Sequence, residues 1–173
     1  MKIVFESIYF FAPVYMANMA PVFAARLRWP GGRPVAVSLL GSHKTVRGFY
    51  AGILGAFLVL VIQNGLWRSS MLVDITLLHY GSHSILLLAL LLGGGAMIGD
   101  MVGSFFKRRM GIPAGGCSMP LDQLDYVVGA LLFVLPVVGI PWANIAVLLV
   151  LTPFLHIGVN IVGFWMGLKE VWW

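Results

Sequence analysis

The chain has 173 residues, of which 60% are hydrophobic and 10% charged, and its formal net charge is +5. An ordinary soluble domain carries about 25% charged residues, so this composition excludes that class. The single cysteine excludes a disulfide framework and a cysteine-rich zinc site. A chain of this length has room for about five or six membrane helices of roughly 20 residues each. We therefore expect one all-α, polytopic membrane domain over residues 1–173.

Five apolar segments follow one another along the chain. They cover about Ile3–Phe23, Phe49–Trp67, Ile85–Phe106, Asp125–Ile140 and Trp142–Leu168. Their lengths favour helices, because a membrane strand needs only about 9–11 residues. We interpret the first segment as a span rather than a cleaved signal, since no soluble region follows it. The fourth is short and contains Pro136, so we expect it to be tilted, kinked or partly re-entrant.

The distribution of basic residues predicts the orientation in the membrane. Two loops, at about 24–48 and 107–124, should face the cytoplasm, because cytoplasmic loops carry an excess of Lys and Arg. This places the N-terminus outside and the C-terminus inside. The basic residues on the predicted cytoplasmic side are Arg26, Arg28, Arg33, Lys44, Arg47, Lys107, Arg108, Arg109 and Lys169.

A cluster of acids lies around the second of these loops. Asp100 comes near the end of the third segment, and Asp122 and Asp125 open the fourth. A helix places Asp100, Ser104 and Lys107 on one face, since they are spaced i, i+4 and i+7. Acids in or beside membrane helices are costly and are functional by default. Three hard oxygen donors suit Mg²⁺, which takes one or two carboxylates together with water and substrate phosphate.

A plainer interpretation of the same residues remains open. The acids could simply pair with the nearby Lys and Arg residues, such as the basic triplet Lys107–Arg109, at the level of the lipid headgroups. The presence of acids on both sides of the triplet favours the metal site. The intervening loop, Gly111–Pro120, is rich in Gly and Pro and could let backbone N–H groups approach an anion.

A second basic patch, Gly41–Gly48, precedes the second segment and holds Lys44, Thr45 and Arg47 between glycines. Short loops of this kind bind phosphate through the lysine charge, the arginine fork and free amides. The Walker A spacing is absent. The alternative is an ordinary positively charged loop that touches lipid headgroups. Together with the acid cluster, the patch predicts a triphosphate site.

Three polar residues lie within the apolar segments. Asn18 is in the first segment, and His156 and Asn160, spaced i and i+4, are in the fifth. Hydrogen bonding between membrane helices is the commoner role for such residues. Together they could instead line a polar cavity beside the metal site.

Several of these motifs resemble a known superfamily. Gly99–Asp100, the S-x-x-K-R motif Ser104–Arg108 and the D-x-x-D motif Asp122–Asp125 are similar to the signature of the phosphatidate cytidylyltransferase superfamily, integral-membrane enzymes that make CDP-lipids. Within it, the chain resembles the small archaeal branch, the CDP-archaeol synthase family. The further landmarks are Asn18–Val22, Lys44–Gly48, Pro120–Leu131, His156, Asn160 and Gly167–Lys169.

The chain also departs from the larger bacterial relatives. They carry His-Gly-Gly and an Arg between the final acids, where this chain has Ser118-Met119-Pro120 and Gln123. It also lacks their additional N-terminal helices. These departures point to the archaeal branch and weaken any transfer of the bacterial loop's details.

The resemblance implies a reaction and its partners. An unsaturated archaeal ether lipid, 2,3-bis-O-geranylgeranyl-glycerol 1-phosphate, attacks the α-phosphate of CTP, so that CDP-archaeol forms and pyrophosphate leaves. Mg²⁺ is the implied cofactor, and we expect neither a nucleic acid nor a protein partner. The implied location is the cell membrane, with the active site facing the cytoplasm.

The expected site residues fall into groups by role. Asp122 and Asp125 are the leading Mg²⁺ ligands, and Asp100 is a third ligand or supports the others. The expected phosphate-binding residues are Lys44, Thr45 and Arg47 for the triphosphate, and Lys107 and Arg108 for the lipid phosphate or the pyrophosphate. The polar lining is assigned to Asn18, Ser104, His156 and Asn160.

Three other functions are alternatives to this one. A CDP-alcohol phosphotransferase has a longer acidic motif that begins with Asp-Gly, whereas Met101 follows Asp100 here. A small transporter or channel could use Asp100 as an ion site, but its expected internal repeat is missing from the sequence. A non-catalytic lipid-binding membrane protein would keep the basic patches and would need no acid cluster.

Overall fold

The computed structural model describes residues 1–116, 118–119 and 121–167. Apart from an isolated bridge between Pro34 and Thr45, the regular secondary structure of this part is helical, which confirms the all-α prediction. The elements in chain order are α1 (Lys2–Arg26), α2 (Val37–Leu40), α3 (Val46–Arg68), a 3-10 turn (Val73–Ile75), α4 (Ile85–Ala89), a π-helical turn (Leu90–Gly94), α5 (Gly95–Arg109), α6 (Leu121–Val134) and α7 (Trp142–Trp165).

Four helical segments in the described part are long and apolar enough to cross a membrane. They are α1, α3, α7 and the continuous helix Ile85–Arg109, which joins α4, the π-helical turn and α5. These segments coincide with the predicted first, second, third and fifth spans to within a few residues. The predicted end of the fifth span at Leu168, and Lys169 beyond it, fall outside the described residues. Which side of the membrane each terminus faces stays a prediction.

α6 differs from the other long helices. Its 14 residues span about 21 Å at 1.5 Å per residue, less than the roughly 30 Å of a bilayer core. It begins at Leu121, four residues before the predicted start, and ends at Val134, two residues before Pro136. The predicted segment to Ile140 was therefore too long at its C-terminal end. Proline cannot continue the hydrogen-bond ladder of a helix, which accounts for this end.

The continuous third helix also corrects a loop boundary. The predicted cytoplasmic loop from residue 107 begins later, because α5 continues to Arg109. The basic triplet Lys107–Arg109 consequently forms the last turn of α5, where cations are favourable near the negative end of the helix dipole.

Side chains of α3 compensate for a proline inside α1. Pro13 has no N–H, so the carbonyl of Tyr9 loses its partner in the helix. Gln63 Nε2 donates to this carbonyl at 2.6 Å, and Tyr80 donates its hydroxyl to Gln63 Oε1 at 3.1 Å. Inside a bilayer an unpaired backbone group costs several kcal/mol, so this bond stabilises the proline-containing helix.

Glycines let α1 and α3 approach closely at their other ends. A Cβ on Gly48 would lie 3.3 Å from Pro21 Cβ, and one on Gly52 would lie 3.1 Å from the Ala17 carbonyl oxygen. Pro21 leaves that same carbonyl without its helical donor. Small residues at such interfaces are typical of membrane helices. The contact fixes the C-terminal half of α1 beside the start of α3.

A second close contact, which we call the α5–α6 glycine seam, is formed by Gly95, Gly99 and Gly103 of α5 against α6. A Cβ on Gly95 would lie 3.0 Å from the Gly129 carbonyl oxygen, and one on Gly99 would lie 2.8 Å from Gly129 Cα. A Cβ on Gly99 would also overlap the Asp125 carbonyl oxygen. The two backbones are thus in direct contact, and the acids of both helices meet at the end of this seam.

Candidate active site

Two lysine–aspartate pairs hold the charged ends of the helices together. Lys44 Nζ donates to both carboxylate oxygens of Asp100, at 2.7 and 2.6 Å. Lys107 Nζ donates to Asp122 Oδ1 at 2.6 Å. The first pair joins the loop before α3 to α5, and the second joins the end of α5 to the first turn of α6. The ion pairing weighed as the plainer interpretation is therefore present for two of the three acids.

Asp122 also organises the start of α6. Its Oδ2 accepts a hydrogen bond from the Ser118 backbone N–H at 2.9 Å, and its own N–H donates to the Ser118 carbonyl at 3.0 Å. An acid in the first turn of a helix is favourable because it lies at the positive end of the dipole. These two hydrogen bonds hold Ser118 of the Gly/Pro loop beside the carboxylate. Cys117 and Pro120 of the same loop lie outside the described residues.

The third acid, Asp125, lies between the two pairs. Its Oδ1 accepts the Tyr126 N–H at 2.7 Å, and no salt bridge to it is found among the described residues. The charges of Asp100, Lys44 and Asp122 all act on its carboxylate. The structure therefore brings together both acid groups that the sequence singled out and adds Lys44 from the first basic patch.

This donor set fits a hard divalent cation in one respect. Three carboxylates share only two lysines, and Asp125 lacks a cationic partner in the described ion pairs, so one negative charge is left to neutralise. Within the described residues, however, no three Asp, Glu, His or Cys side chains lie close enough to hold a metal by themselves. Mg²⁺ does not require such a cage, since it commonly uses one or two carboxylates with water and substrate phosphates. A three-carboxylate Mg²⁺ site stays a prediction.

The basic patch before α3 has a structural role as well as a charge. Thr45 Oγ1 caps α3 by accepting the Gly48 N–H at 3.1 Å. Arg47 Nη1 donates to the Trp29 carbonyl at 3.0 Å and so holds the preceding loop. Arg47 Nε is buried and has no partner in the described part of the chain, which leaves one donor available. Of the patch, Lys44 alone reaches the acids in this state; phosphate binding by Thr45 and Arg47 stays a prediction.

Arg108 presents unused donors near the same loop. Its Nε and Nη1 are buried without a hydrogen-bond partner in the described residues. A Cβ on Gly41 would lie 3.5 Å from Nη1, so the guanidinium faces the basic patch. Buried polar groups are nearly always satisfied, so these two donors are the ones that an anion would engage. The predicted phosphate contact of Arg108 is consistent with this position.

Polar residues of the spans line an apolar cavity on the other side of α6. A cavity of about 480 Å³ between α1 and α7 has Asn18, His156 and Asn160 in its wall. The sequence suggested a polar cavity, whereas most of this wall is apolar; contact of the three residues with a substrate stays a prediction. A smaller neighbouring cavity of about 210 Å³ is also lined by Asn18 and His156, with Tyr15 and Tyr126. Ser104 does not line either cavity; its side chain is buried in α5.

A small cleft opens beside the Lys44–Asp100 pair. It holds about 70 Å³, and His43, Thr45 and Gly48 share its wall with the pair. This volume is small compared with typical ligand pockets of about 300–1,000 Å³. A larger ligand could enter this cleft only by displacing side chains of its wall, which include the Lys44–Asp100 pair.

Two residues of this region, Tyr126 and Gly103, are not among the site residues predicted from the sequence. Tyr126 follows Asp125 and places its ring 5.8 Å from the His156 ring, so it links the acids to the apolar cavity. Gly103 lies directly under the Asp125 side chain. The signal for Gly103 was visible, because Gly95, Gly99 and Gly103 recur every four residues. Nothing in the sequence distinguishes Tyr126 from the other aromatic residues.

Comparison with known proteins agrees with this arrangement. Residues 1–173 match the family described as CarS-like: CDP-archaeol synthase. The chain is 39% identical to the CDP-archaeol synthase of Thermococcus kodakarensis, a match that covers 98% of this chain and 96% of that protein. The synthases of Pyrococcus horikoshii (36% identity; 97% and 96% covered) and Methanocaldococcus jannaschii (37%; 99% and 98%) are similarly related.

A solved structure shares the fold as well. It is described as an intramembrane enzyme for archaeal membrane lipids biosynthesis and matches with a TM-score of 0.68 at 30% identity, covering 89% of this chain and 92% of that chain. The likeness therefore extends from sequence to the packing of the helices, and over nearly the full length of each protein compared. This chain belongs to the CarS-like family of CDP-archaeol synthases.

Proposed function

We propose that this protein transfers the cytidylyl group of CTP to 2,3-bis-O-geranylgeranyl-glycerol 1-phosphate, with Mg²⁺ as cofactor, at a site facing the cytoplasm of the cell membrane. The observation that carries the proposal is the charged network Lys44–Asp100, Asp125 and Asp122–Lys107. The network joins the loop before α3, α5 and the first turns of α6, and through Tyr126 it adjoins the smaller apolar cavity. A nucleotide and a lipid phosphate need this combination of a polar site and a lipid entrance.

Asp122 and Asp125 would hold the metal, and Asp100 would support them or serve as a third ligand. When bound, Mg²⁺ supplies neutralisation of the charge on the CTP phosphates. Asp125 is the acid without a lysine, so it accepts a cation with the least rearrangement. Asp122 keeps Oδ2 on the Ser118 amide, which orients the carboxylate.

The lysines would exchange partners when CTP binds. Lys44 then leaves Asp100 for the triphosphate, and Lys107 leaves Asp122 for the lipid phosphate or the pyrophosphate. An oxygen of the lipid phosphate attacks the α-phosphorus, a new P–O bond forms, and the bond to the β-phosphate oxygen breaks. No protein nucleophile is required, because the chain contributes positioning and charge neutralisation. Arg108, whose buried donors lack partners, would hold the leaving pyrophosphate.

The lipid would enter between α1 and α7. The wall of the larger cavity is mostly apolar, including Met19, Phe154 and Val159, and suits isoprenoid chains. Asn18, His156 and Asn160 would contact the glycerol phosphate end. Tyr126 lines the smaller neighbouring cavity and directly follows Asp125 in the chain, so a lipid phosphate in that cavity would lie toward the acid network.

A direct assay tests the proposal. Purified protein, labelled CTP, Mg²⁺ and the geranylgeranylated ether phosphate should give a labelled CDP-lipid. An Asp122→Asn/Asp125→Asn double variant should lose at least about 100-fold in rate, because both proposed metal ligands lose their negative charge. Asp74→Asn, in the 3-10 turn far along the chain from the acid network, is the matched control and should retain full activity.

Two outcomes would contradict the proposal. Folded wild-type protein that makes no CDP-lipid with this acceptor or with ester phosphatidate would refute the cytidylyl transfer. Full activity of the double variant would preserve the reaction and refute the metal assignment.

A further inference from the structure

Gly103 of α5 lies directly against the side chain of Asp125. It stands one turn beyond Asp100 on α5, and its bare helix surface faces α6. A Cβ at this position would lie 2.7 Å from Asp125 Cβ and 2.8 Å from Cγ, and would overlap Oδ2. These separations are well inside carbon–carbon van der Waals contact of about 3.5–4.0 Å. Any side chain at position 103 must therefore displace the carboxylate.

Gly103 differs in this respect from the rest of the α5–α6 glycine seam. Gly95 faces the Gly129 carbonyl, and Gly99 faces the Asp125 backbone and Gly129 Cα. Those two glycines permit the backbones to approach. The three nearest atoms to a Cβ on Gly103 all belong to the Asp125 side chain. Small size at position 103 thus serves the placement of a carboxylate, whereas at positions 95 and 99 it serves helix packing.

Separating α5 from α6 to make room for a side chain at position 103 would break the contact between the two helices. One turn earlier, a Cβ on Gly99 already meets Gly129 Cα at 2.8 Å, so the helices are in contact there. The carboxylate itself is held by the Tyr126 N–H at 2.7 Å. An added methyl group would therefore rotate Cγ and the carboxylate of Asp125 out of place, and it would also press on Asp125 Cβ, which the α6 backbone holds.

We propose that Gly103 is a positioning residue that sets the Asp125 carboxylate for metal and triphosphate binding. This inference rests on the proposed function, in which Asp125 is a metal ligand. It adds a residue of α5 that touches neither substrate and acts only through Asp125.

The test uses Mn²⁺ in place of Mg²⁺, because bound Mn²⁺ can be measured by electron paramagnetic resonance in the presence of CTP. Gly103→Ala should weaken Mn²⁺ binding about tenfold or more, the range seen when groups that orient a metal ligand are lost. It should raise the Mg²⁺ concentration for half-maximal activity to a similar extent. Gly65→Ala is the matched control, since nothing lies within 4 Å of a Cβ there.

A double-mutant cycle separates positioning from packing. If Gly103 acts through Asp125, the Gly103→Ala/Asp125→Asn protein binds Mn²⁺ no more weakly than Asp125→Asn alone. Gly103→Ala should lower the thermal midpoint by less than Gly99→Ala, because a Cβ at position 103 meets side-chain atoms of Asp125 and one at position 99 meets backbone atoms.

Each contrary result identifies what has failed. Unchanged Mn²⁺ binding by Gly103→Ala, effects that add in the double variant, or a thermal loss like that of Gly99→Ala would overturn the positioning role. Mn²⁺ binding by Asp125→Asn at wild-type strength would instead overturn the metal assignment in the proposed function, and the inference with it. The first group of results leaves Asp125 as a ligand; the last does not.

Discussion

Replacing Lys44 with Met should reduce both stability and activity. Lys44 Nζ lies 2.6 and 2.7 Å from the two oxygens of Asp100, and the two side chains are 24% and 26% exposed. A hydrogen bond to a charged group contributes about 1.5–3 kcal/mol. An exposed ion pair contributes only about 0–1 kcal/mol, but these partners are largely buried. In a protein of 150–250 residues each kcal/mol moves Tm by about 2–4 °C, so unfolding should occur about 3–12 °C lower.

Two companion variants make the result interpretable. Lys2→Met removes an exposed pair, Lys2–Glu6 at 3.7 Å, and should change Tm little. Lys44→Met combined with Asp100→Leu removes both charges and should recover most of the lost Tm, since an apolar pair avoids the unpaired buried carboxylate. CDP-lipid formation should not recover in this double variant, because it lacks both Lys44, assigned to the triphosphate, and Asp100, assigned to the metal site.

The assays are thermal unfolding in detergent and labelled CDP-lipid formation. A wild-type Tm for Lys44→Met would refute the stabilising ion pair. Wild-type activity of the double variant, with its Tm recovered, would refute the catalytic role of the pair and leave it purely structural.

Two further predictions concern residues of the membrane-spanning helices α3 and α7. Gln63→Leu should lower the free energy of unfolding by about 1–3 kcal/mol, because the Tyr9 carbonyl loses its donor at 2.6 Å. The KM for CTP should stay unchanged. Thermal unfolding and CTP kinetics check both expectations, and an unchanged Tm would contradict the first. Val159 lies in the wall of both cavities. Val159→Trp should therefore raise the KM for the lipid several-fold and leave the KM for CTP unchanged, as measured by varying each substrate separately. Equal changes in the two KM values would place the lipid elsewhere.

The membrane spans could be predicted because the bilayer imposes their length. About 20 apolar residues are needed for a crossing, and four apolar segments of this length became the four spanning helices. α6 was less predictable, since it is held by contact with α5 rather than by bilayer thickness. Its early start at Leu121 depends on the Ser118–Asp122 hydrogen bonds, which only the folded loop reveals.

The site was predictable in its composition but not in its pairing. Charges are rare in this chain, so Asp100, Asp122 and Asp125 stood out. The partner of Asp100 is Lys44, 56 residues away, and no local spacing encodes that contact. Arg47 illustrates the limit of composition: an arginine in a basic loop predicts a phosphate contact, yet its Nη1 binds the Trp29 carbonyl.

α6 couples the two halves of the site because consecutive residues on a helix project about 100° apart, so that Asp125 and Tyr126 face different neighbours. Asp125 lies on Gly103 of α5, and Tyr126 places its ring against His156 of α7. A small rotation of α6 would therefore move the acid network and the lipid cavity together. The α5–α6 glycine seam opposes such a rotation, since Gly99 and Gly129 leave no space between the backbones. A helix too short to span the bilayer by itself is thus fixed by its neighbour, and this contact sets the position of the Asp125 carboxylate relative to His156 of α7.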